Sequence, residues 1–221
     1  GDIVSAYPLT ADLFQSLKVD FCCGGARTLR AALKDQGLSL AAVWPSIQDL
    51  IEKNELLKRT DPAEFNPADL DSSELIDWIE EHHHAWLRSH LPDIAALLLK
   101  ILSVHGVNHP ELFTVHRLFS QLKTELEQHL VKEEAWLFPN PADQAALIDA
   151  LRAEHENAGA LLRELRRETR DYSVPEDGCA TYTLADQSLA ELEADLFRHI
   201  HLENNQLFSK ISGLSRKQTV V

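Results

Sequence analysis

Four long stretches of the sequence carry apolar residues at the spacing of an amphipathic helix, and this pattern restricts the fold more than any other feature. No stretch of similar length alternates apolar and polar residues as a half-buried strand does. Long helices joined by short connections predict an all-α chain that ends in an antiparallel four-helix bundle. The predicted helices cover roughly 73–104, 111–137, 142–171 and 180–209.

A smaller helical domain is expected before the bundle, because shorter helical patterns occur there around 9–17, 28–36 and 40–57. The segment that follows them contains two proline turns and little apolar content, which is typical of a linker. The predicted organisation is a cysteine-bearing helical domain over 1–58, a linker over 59–71, the bundle over 72–212 and a tail over 213–221.

The charge balance excludes some classes of partner. With 21 basic and 35 acidic residues the net charge is −14, and phosphate backbones repel such a chain, so we expect no nucleic-acid binding. The sequence contains no apolar run of about 20 residues and does not begin with a basic segment followed by an apolar one. We therefore expect a cytoplasmic, soluble protein with no membrane partner, present as a monomer or dimer.

A pair of residues one helical turn apart occurs twice. His129 and Glu133 recur as His199 and Glu203, and each pair is followed by a Leu-Phe dipeptide. His84 and His155 precede these pairs at nearly equal distances, so the bundle resolves into two similar helical hairpins.

Helical periodicity places these side chains on the apolar faces of their helices. A single buried histidine is usually hydrogen-bonded, and a single His-x-x-x-Glu is usually an exposed polar pair. Two copies on core faces favour a metal site instead, because bound cations compensate buried carboxylates. The apolar residues that share these faces are Leu122, Leu126 and Trp136 in the first copy, Leu192 and Leu196 in the second, and Leu151, Ala158 and Leu162 around His155.

Sequence spacing also decides which other histidines are candidate metal ligands. Periodicity permits both His83 and His84, and the matching hairpin distances favour His84. His105 would lie about 31 Å further along the same helix and is excluded. We expect the remaining candidates to be surface or loop histidines, namely His109, His116 and His201.

The donor set limits the metal. Four imidazoles and two carboxylates are too many for one tetrahedral zinc and suit two metals bridged by the glutamates. The absence of thiolate from the set favours iron or manganese. Three nearby acidic residues are either carboxylates that hydrogen-bond to the ligands or ordinary charged helix positions: Glu125, Glu154 and Asp195.

Two adjacent cysteines, Cys22 and Cys23, precede a predicted helix that begins near Thr28. Backbone amides at a helix N-terminus lower the pKa of a nearby thiol and make it more reactive. Two small side chains buried in a turn would give the same sequence pattern, so both interpretations stay open at this point.

Taken together, these residues resemble the Repair of Iron Centers family, which comprises di-iron proteins of the ScdA and YtfE type with a hemerythrin-like bundle. The resemblance covers nearly the whole chain in order. It rests on Asp20-Phe21-Cys22-Cys23-Gly24-Gly25, His84, His129 with Glu133, Glu154-His155-Glu156, and His199 with Glu203-Asn204-Asn205 and Leu207-Phe208.

The resemblance implies a non-haem di-iron centre, bridged by oxide or carboxylate, with iron ligands at His84, His129, Glu133, His155, His199 and Glu203. It also implies repair of iron–sulfur proteins damaged by nitric oxide or peroxide, with Cys22 and Cys23 as candidates for redox or for iron or nitrosyl transfer. An iron-donating repair factor is favoured over a conventional enzyme, and nitric oxide turnover at the di-iron site stays open. The alternative is a hemerythrin-like protein that binds or senses dioxygen or nitric oxide without repair.

Overall fold

The computed structural model describes residues 1–22, 25, 27–60, 66–142 and 144–212. This part of the chain is helical and contains no β-strand, which confirms the all-α prediction. The predicted tail 213–221, residues 61–65 of the predicted linker, and Cys23 lie outside the described residues. Among the described helices, none is both long and apolar enough to cross a membrane.

The described residues form two compact units. The terminal unit comprises Gly1–Trp78 together with the described residues from Phe197 onward, and the central unit comprises Ile79–Leu196.

The terminal unit begins with four helices, α1 to α4, and its core brings distant parts of the sequence together. Phe14, Phe21, Leu33 and Ile47 are buried in one cluster, and Phe197 packs against it. The Thr28 side chain caps α3 by accepting a hydrogen bond from the backbone N–H of Ala31. The helices are α1 (Asp2–Ala6), α2 (Thr10–Ser16), α3 (Leu29–Asp35) and α4 (Leu40–Thr60).

The central unit is an antiparallel four-helix bundle. Its helices are α6 (Ala85–His105), α7 (Glu111–Lys132), α8 (Ala145–Glu168) and the larger part of α9 (Ala180–Leu202), whereas α5 (Ser72–Ile79) belongs to the terminal unit except for Ile79. Helix α9 contributes 180–196 to this unit. It runs opposite to α6, since Asp195 contacts His83 and Tyr182 contacts His105. The leucines that were predicted to share the ligand faces are buried in the core of this unit, namely Leu122, Leu126, Leu151, Leu162, Leu192 and Leu196.

Three π-helical turns occur in the described residues, and all of them lie beside predicted ligands. They cover Glu80–His84, Glu133–Leu137 and Glu203–Leu207. A π-turn adds a residue to the helical turn and rotates everything that follows it, and such turns are frequent at functional sites. This rotation explains why the prediction for Trp136 was wrong: ordinary helical spacing places it on the core face, whereas its side chain is 58% exposed.

Candidate metal centre

The central unit buries three of the predicted histidine ligands and one glutamate in its interior. His84 and Glu133 are 0% exposed, His155 is 2% exposed and His129 is 3% exposed. The π-turn before α6 supplies His84, helices α7 and α8 supply His129 and His155, and the π-turn after α7 supplies Glu133. Leu87, Leu126 and Leu151 each lie three or four residues from one of these histidines and are also buried, so the polar cluster is surrounded by apolar core.

The donor atoms of this cluster converge. Glu133 Oε2 lies 3.5 Å from His84 Nε2 and 3.3 Å from His129 Nε2. His129 Nε2 and His155 Nε2 are 3.0 Å apart. Two donors that bind one first-row metal at ordinary bond lengths stand about 3.0–3.5 Å apart. The spacing therefore fits metal coordination, and the nitrogen and oxygen donors suit iron.

Carboxylates on the far side of two rings determine which imidazole nitrogen faces the cluster. His129 Nδ1 donates to Glu154 Oε2 at 3.0 Å, and His84 Nδ1 donates to Glu134 Oε1 at 2.8 Å. An ionised carboxylate only accepts hydrogen bonds, so each Nδ1 carries the proton and each Nε2 is left with its lone pair. This is the tautomer that a metal ligand needs.

Both outer carboxylates are ionised near neutral pH. The hydrogen bond from His129 lowers the pKa of Glu154 to about 2, and Lys132 adds to this effect. Burial raises the pKa of Glu134, but the hydrogen bonds from Arg88 and His84 outweigh it and leave the pKa below its ordinary value.

The second copy of the repeat lies in the terminal unit. His199 Nε2 is 2.9 Å from Glu203 Oε1, and both side chains are buried. Glu203 begins a π-turn, as Glu133 does. The repeated sequence thus has a repeated local structure.

The other predicted acidic residues have different neighbours. Glu125 accepts hydrogen bonds from Gln121 and Asn157. Asp195 Oδ1 lies 2.8 Å from Nδ1 of His83, the histidine that hairpin spacing did not favour.

Cys22 is buried, and its surroundings were not predicted. Its backbone N–H and its thiol both donate to Asp20 Oδ1, at 3.0 and 3.2 Å. The preceding residue, Phe21, is held by His201, whose Nδ1 is 3.2 Å from the Phe21 carbonyl oxygen. Asn205 Nδ2 donates to the Cys22 carbonyl at 3.5 Å. The cysteine-bearing segment therefore packs on the same stretch of chain that carries Glu203.

The prediction of a surface or loop position for His201 was wrong. Its side chain is only 4% exposed, and burial lowers the pKa of the ring to about 4. Two partners of the ring, Phe21 and Ser5, lie far away in sequence, so local sequence patterns do not predict these contacts.

Cys179, just before α9, pairs with His105 at the end of α6, a contact that was not predicted. His105 Nε2 lies 3.3 Å from Cys179 Sγ, and the thiol is exposed. The hydrogen bond from His105 lowers the pKa of the thiol to about 7, and the backbone N–H of Tyr182 acts in the same direction.

We expect Cys179 to react with iodoacetamide with a pH midpoint near 7. His105→Ala should move the midpoint up toward the ordinary thiol value of about 8.5, which lowers the rate at pH 7 roughly five- to tenfold. The measurement is the alkylation rate against pH, with Cys22 and Cys23 replaced by serine so that only one thiol reacts. An unchanged midpoint in the His105 variant would show that the imidazole does not stabilise the thiolate.

Comparison with known proteins agrees with the geometry of the bundle. The family model described as "Hemerythrin HHE cation binding domain" matches residues 74–211. A second model, ScdA_N, described as "Domain of Unknown function (DUF542)", matches residues 1–51.

Several relatives align over nearly the full chain. "Iron-sulfur cluster repair protein ScdA" of Staphylococcus haemolyticus is 30% identical over 96% of both chains. "Iron-sulfur cluster repair protein YtfE" of Pectobacterium atrosepticum is 32% identical, and the protein of the same name from Escherichia coli O157:H7 is 30% identical. Each of these two alignments covers 95% of this chain and 94% of the relative. With a hemerythrin domain preceded by an ScdA_N domain, this chain belongs to the ScdA and YtfE family of hemerythrin-domain proteins.

Proposed function

We propose that this chain is a non-haem di-iron protein that repairs iron–sulfur clusters damaged by nitrosative or oxidative stress. The observation that carries the proposal is the buried set of three imidazole Nε2 atoms and one carboxylate in the central unit, with neighbouring donors 3.0–3.5 Å apart. The names of the relatives support repair as the purpose of such a site.

The proposed iron ligands are His84, His129, Glu133, His155, His199 and Glu203. All six lie inside the region that the hemerythrin family model matches. The repeated His-x-x-x-Glu, with a π-turn beginning at each glutamate, supports one carboxylate contribution from each hairpin. Six donors for two ions leave coordination positions for a small ligand such as nitric oxide or dioxygen.

Iron bound here would supply Lewis acidity and one-electron chemistry in a site shielded from bulk water. The residues of the chain prepare that site. The glutamates balance positive charge in the apolar core, and Glu154 and Glu134 hold the rings of His129 and His84 in the metal-binding tautomer.

We further propose that iron also leaves the protein as cargo for damaged iron–sulfur proteins in the cytoplasm. Cys22 and Cys23 are the proposed transfer groups, because thiolates are soft ligands that hold iron transiently or take up a nitrosyl group. The position of Cys22 supports this role, since its backbone carbonyl is bonded to Asn205, two residues after Glu203.

The test is the recovery of a nitrosylated [4Fe–4S] enzyme incubated with this protein loaded with iron-57. We expect recovery at least several-fold faster than with an equal amount of free ferrous iron, and iron-57 in the Mössbauer spectrum of the repaired enzyme. The His129→Ala variant serves as the control. Recovery no faster than with free iron would contradict repair and favour a protein that only binds or senses nitric oxide or dioxygen.

A further inference from the structure

One acidic side chain beside the candidate metal centre bridges a surface cation and a buried imidazole. Glu134 Oε1 accepts from His84 Nδ1 at 2.8 Å, and Glu134 Oε2 accepts from Arg88 Nη2 at 2.6 Å. The Arg88 side chain is 50% exposed, that of Glu134 is 26% exposed, and that of His84 is fully buried. The three groups therefore form a chain from solvent to the interior of the central unit.

The local structure explains how these groups meet. Arg88 lies one helical turn after His84, so both side chains leave the same face of the helix. Glu134 follows Glu133 in the π-turn, and the wider turn lets two successive glutamates reach opposite sides of one ring. Glu133 Oε2 lies 3.5 Å from His84 Nε2, while Glu134 holds His84 Nδ1.

The proposed ligand His129 has a similar pair of neighbours, an acidic residue and a cation. Glu154 accepts from His129 Nδ1 at 3.0 Å and also pairs with Lys132. In both cases a partly exposed cation holds a carboxylate, and the carboxylate holds a buried imidazole. An ordinary surface ion pair would explain the bond between Arg88 and Glu134, but it requires no second bond from Glu134 to a fully buried ring.

We propose that Glu134, held in place by Arg88, is a positioning residue for the iron ligand His84. This inference rests on the proposed function, because it takes His84 as an iron ligand. Glu134 keeps the proton on Nδ1, fixes the ring plane and leaves Nε2 directed at the cluster. Removal of such a partner of a ligand typically weakens metal binding about 10–100-fold.

The experiment measures iron release from the iron-loaded protein to a ferrous chelator. We expect Glu134→Ala to release iron about 10–100-fold faster than the parent, with a changed Mössbauer quadrupole splitting at one iron. Glu134→Gln should restore much of the parental rate, since its amide oxygen still accepts from His84. Arg88→Ala should give an intermediate rate. Glu127→Ala is the matched control. Glu127 is an exposed carboxylate of α7, the helix that ends just before the π-turn carrying Glu134, and it pairs with Lys123, so this variant should release iron as the parent does.

Further outcomes distinguish a positioning role of Glu134 from a structural role and from failure of the di-iron proposal. A merely structural role would lower the melting temperature of metal-free Glu134→Ala and leave the Mössbauer quadrupole splitting of its bound iron unchanged, and that unchanged splitting would contradict the inference. Parental rates in both Glu134→Ala and Arg88→Ala would overturn the inference while leaving the di-iron proposal intact. A parent protein that binds no iron would overturn the proposed function itself. If Glu134→Ala does not fold, Arg88→Ala at the exposed end decides: faster release supports the inference and a parental rate contradicts it.

Discussion

Replacing Glu133 with alanine should remove both metal ions from the protein. The Glu133 carboxylate is fully buried, and its Oε2 atom lies within 3.5 Å of Nε2 of both His84 and His129. Loss of an outer partner already weakens binding about 10–100-fold, so loss of a direct carboxylate ligand should weaken it by more than about 100-fold. The measurement is iron per chain after gel filtration, together with the affinity for ferrous iron.

The repeat supplies a companion variant, and helix α7, which ends just before Glu133, supplies a control. Glu203→Ala should lose iron to a similar extent, because Glu203 occupies the same place in the second copy. Glu127→Ala removes an exposed carboxylate from α7 and should keep the parental iron content. If Glu133→Ala retained two irons per chain, the carboxylate would be a structural group and the proposed ligand set would be wrong.

Replacing both Cys22 and Cys23 with serine should lower the rate of cluster repair at least about tenfold, because an alcohol is a far poorer ligand for iron than a thiolate. The iron content and the visible absorption bands should stay unchanged. The proposed iron ligands are histidines and glutamates, so the proposed di-iron centre does not need the thiols. The measurement is the recovery rate of a nitrosylated iron–sulfur enzyme, with iron analysis of the same preparation.

Cys179→Ser is the matched control, because Cys179 is exposed and stands at the start of α9 beside His105. It should repair at the parental rate. Cys22→Ala separates loss of the thiol from the effect of placing a hydroxyl in a buried position. Parental repair by the double serine variant would mean that Cys22 and Cys23 are packing residues and that iron or nitrosyl groups leave by another route.

Helical periodicity was enough to predict the all-α fold and the buried stripes of the bundle. Leu122, Leu126, Leu192 and Leu196 are buried, as expected from residues that recur every three to four positions. The repeat distinguished two histidines that periodicity alone could not. The matching spacing of the two hairpins favoured His84 over His83, and the structure shows His84 fully buried with Nε2 facing Glu133.

The features that were missed depend on local departures from the α-helix or on distant contacts. Trp136 lies in a π-turn that rotates it out of the core, and no composition signal marks such a turn. His201 is buried because Phe21 and Ser5 cover it from the other end of the sequence. The contact between Glu134 and His84 could not be predicted from helical periodicity, because the two residues lie 50 positions apart and meet only in the folded chain.

We propose above all that this protein binds two iron ions, and metal analysis of protein purified from iron-replete cells is the direct test. We predict close to two irons per chain, Mössbauer signals of non-haem iron, and loss of most of that iron in the His129→Ala and His199→Ala variants. One tightly held zinc per chain, or full retention of both ions in these two variants, would contradict it.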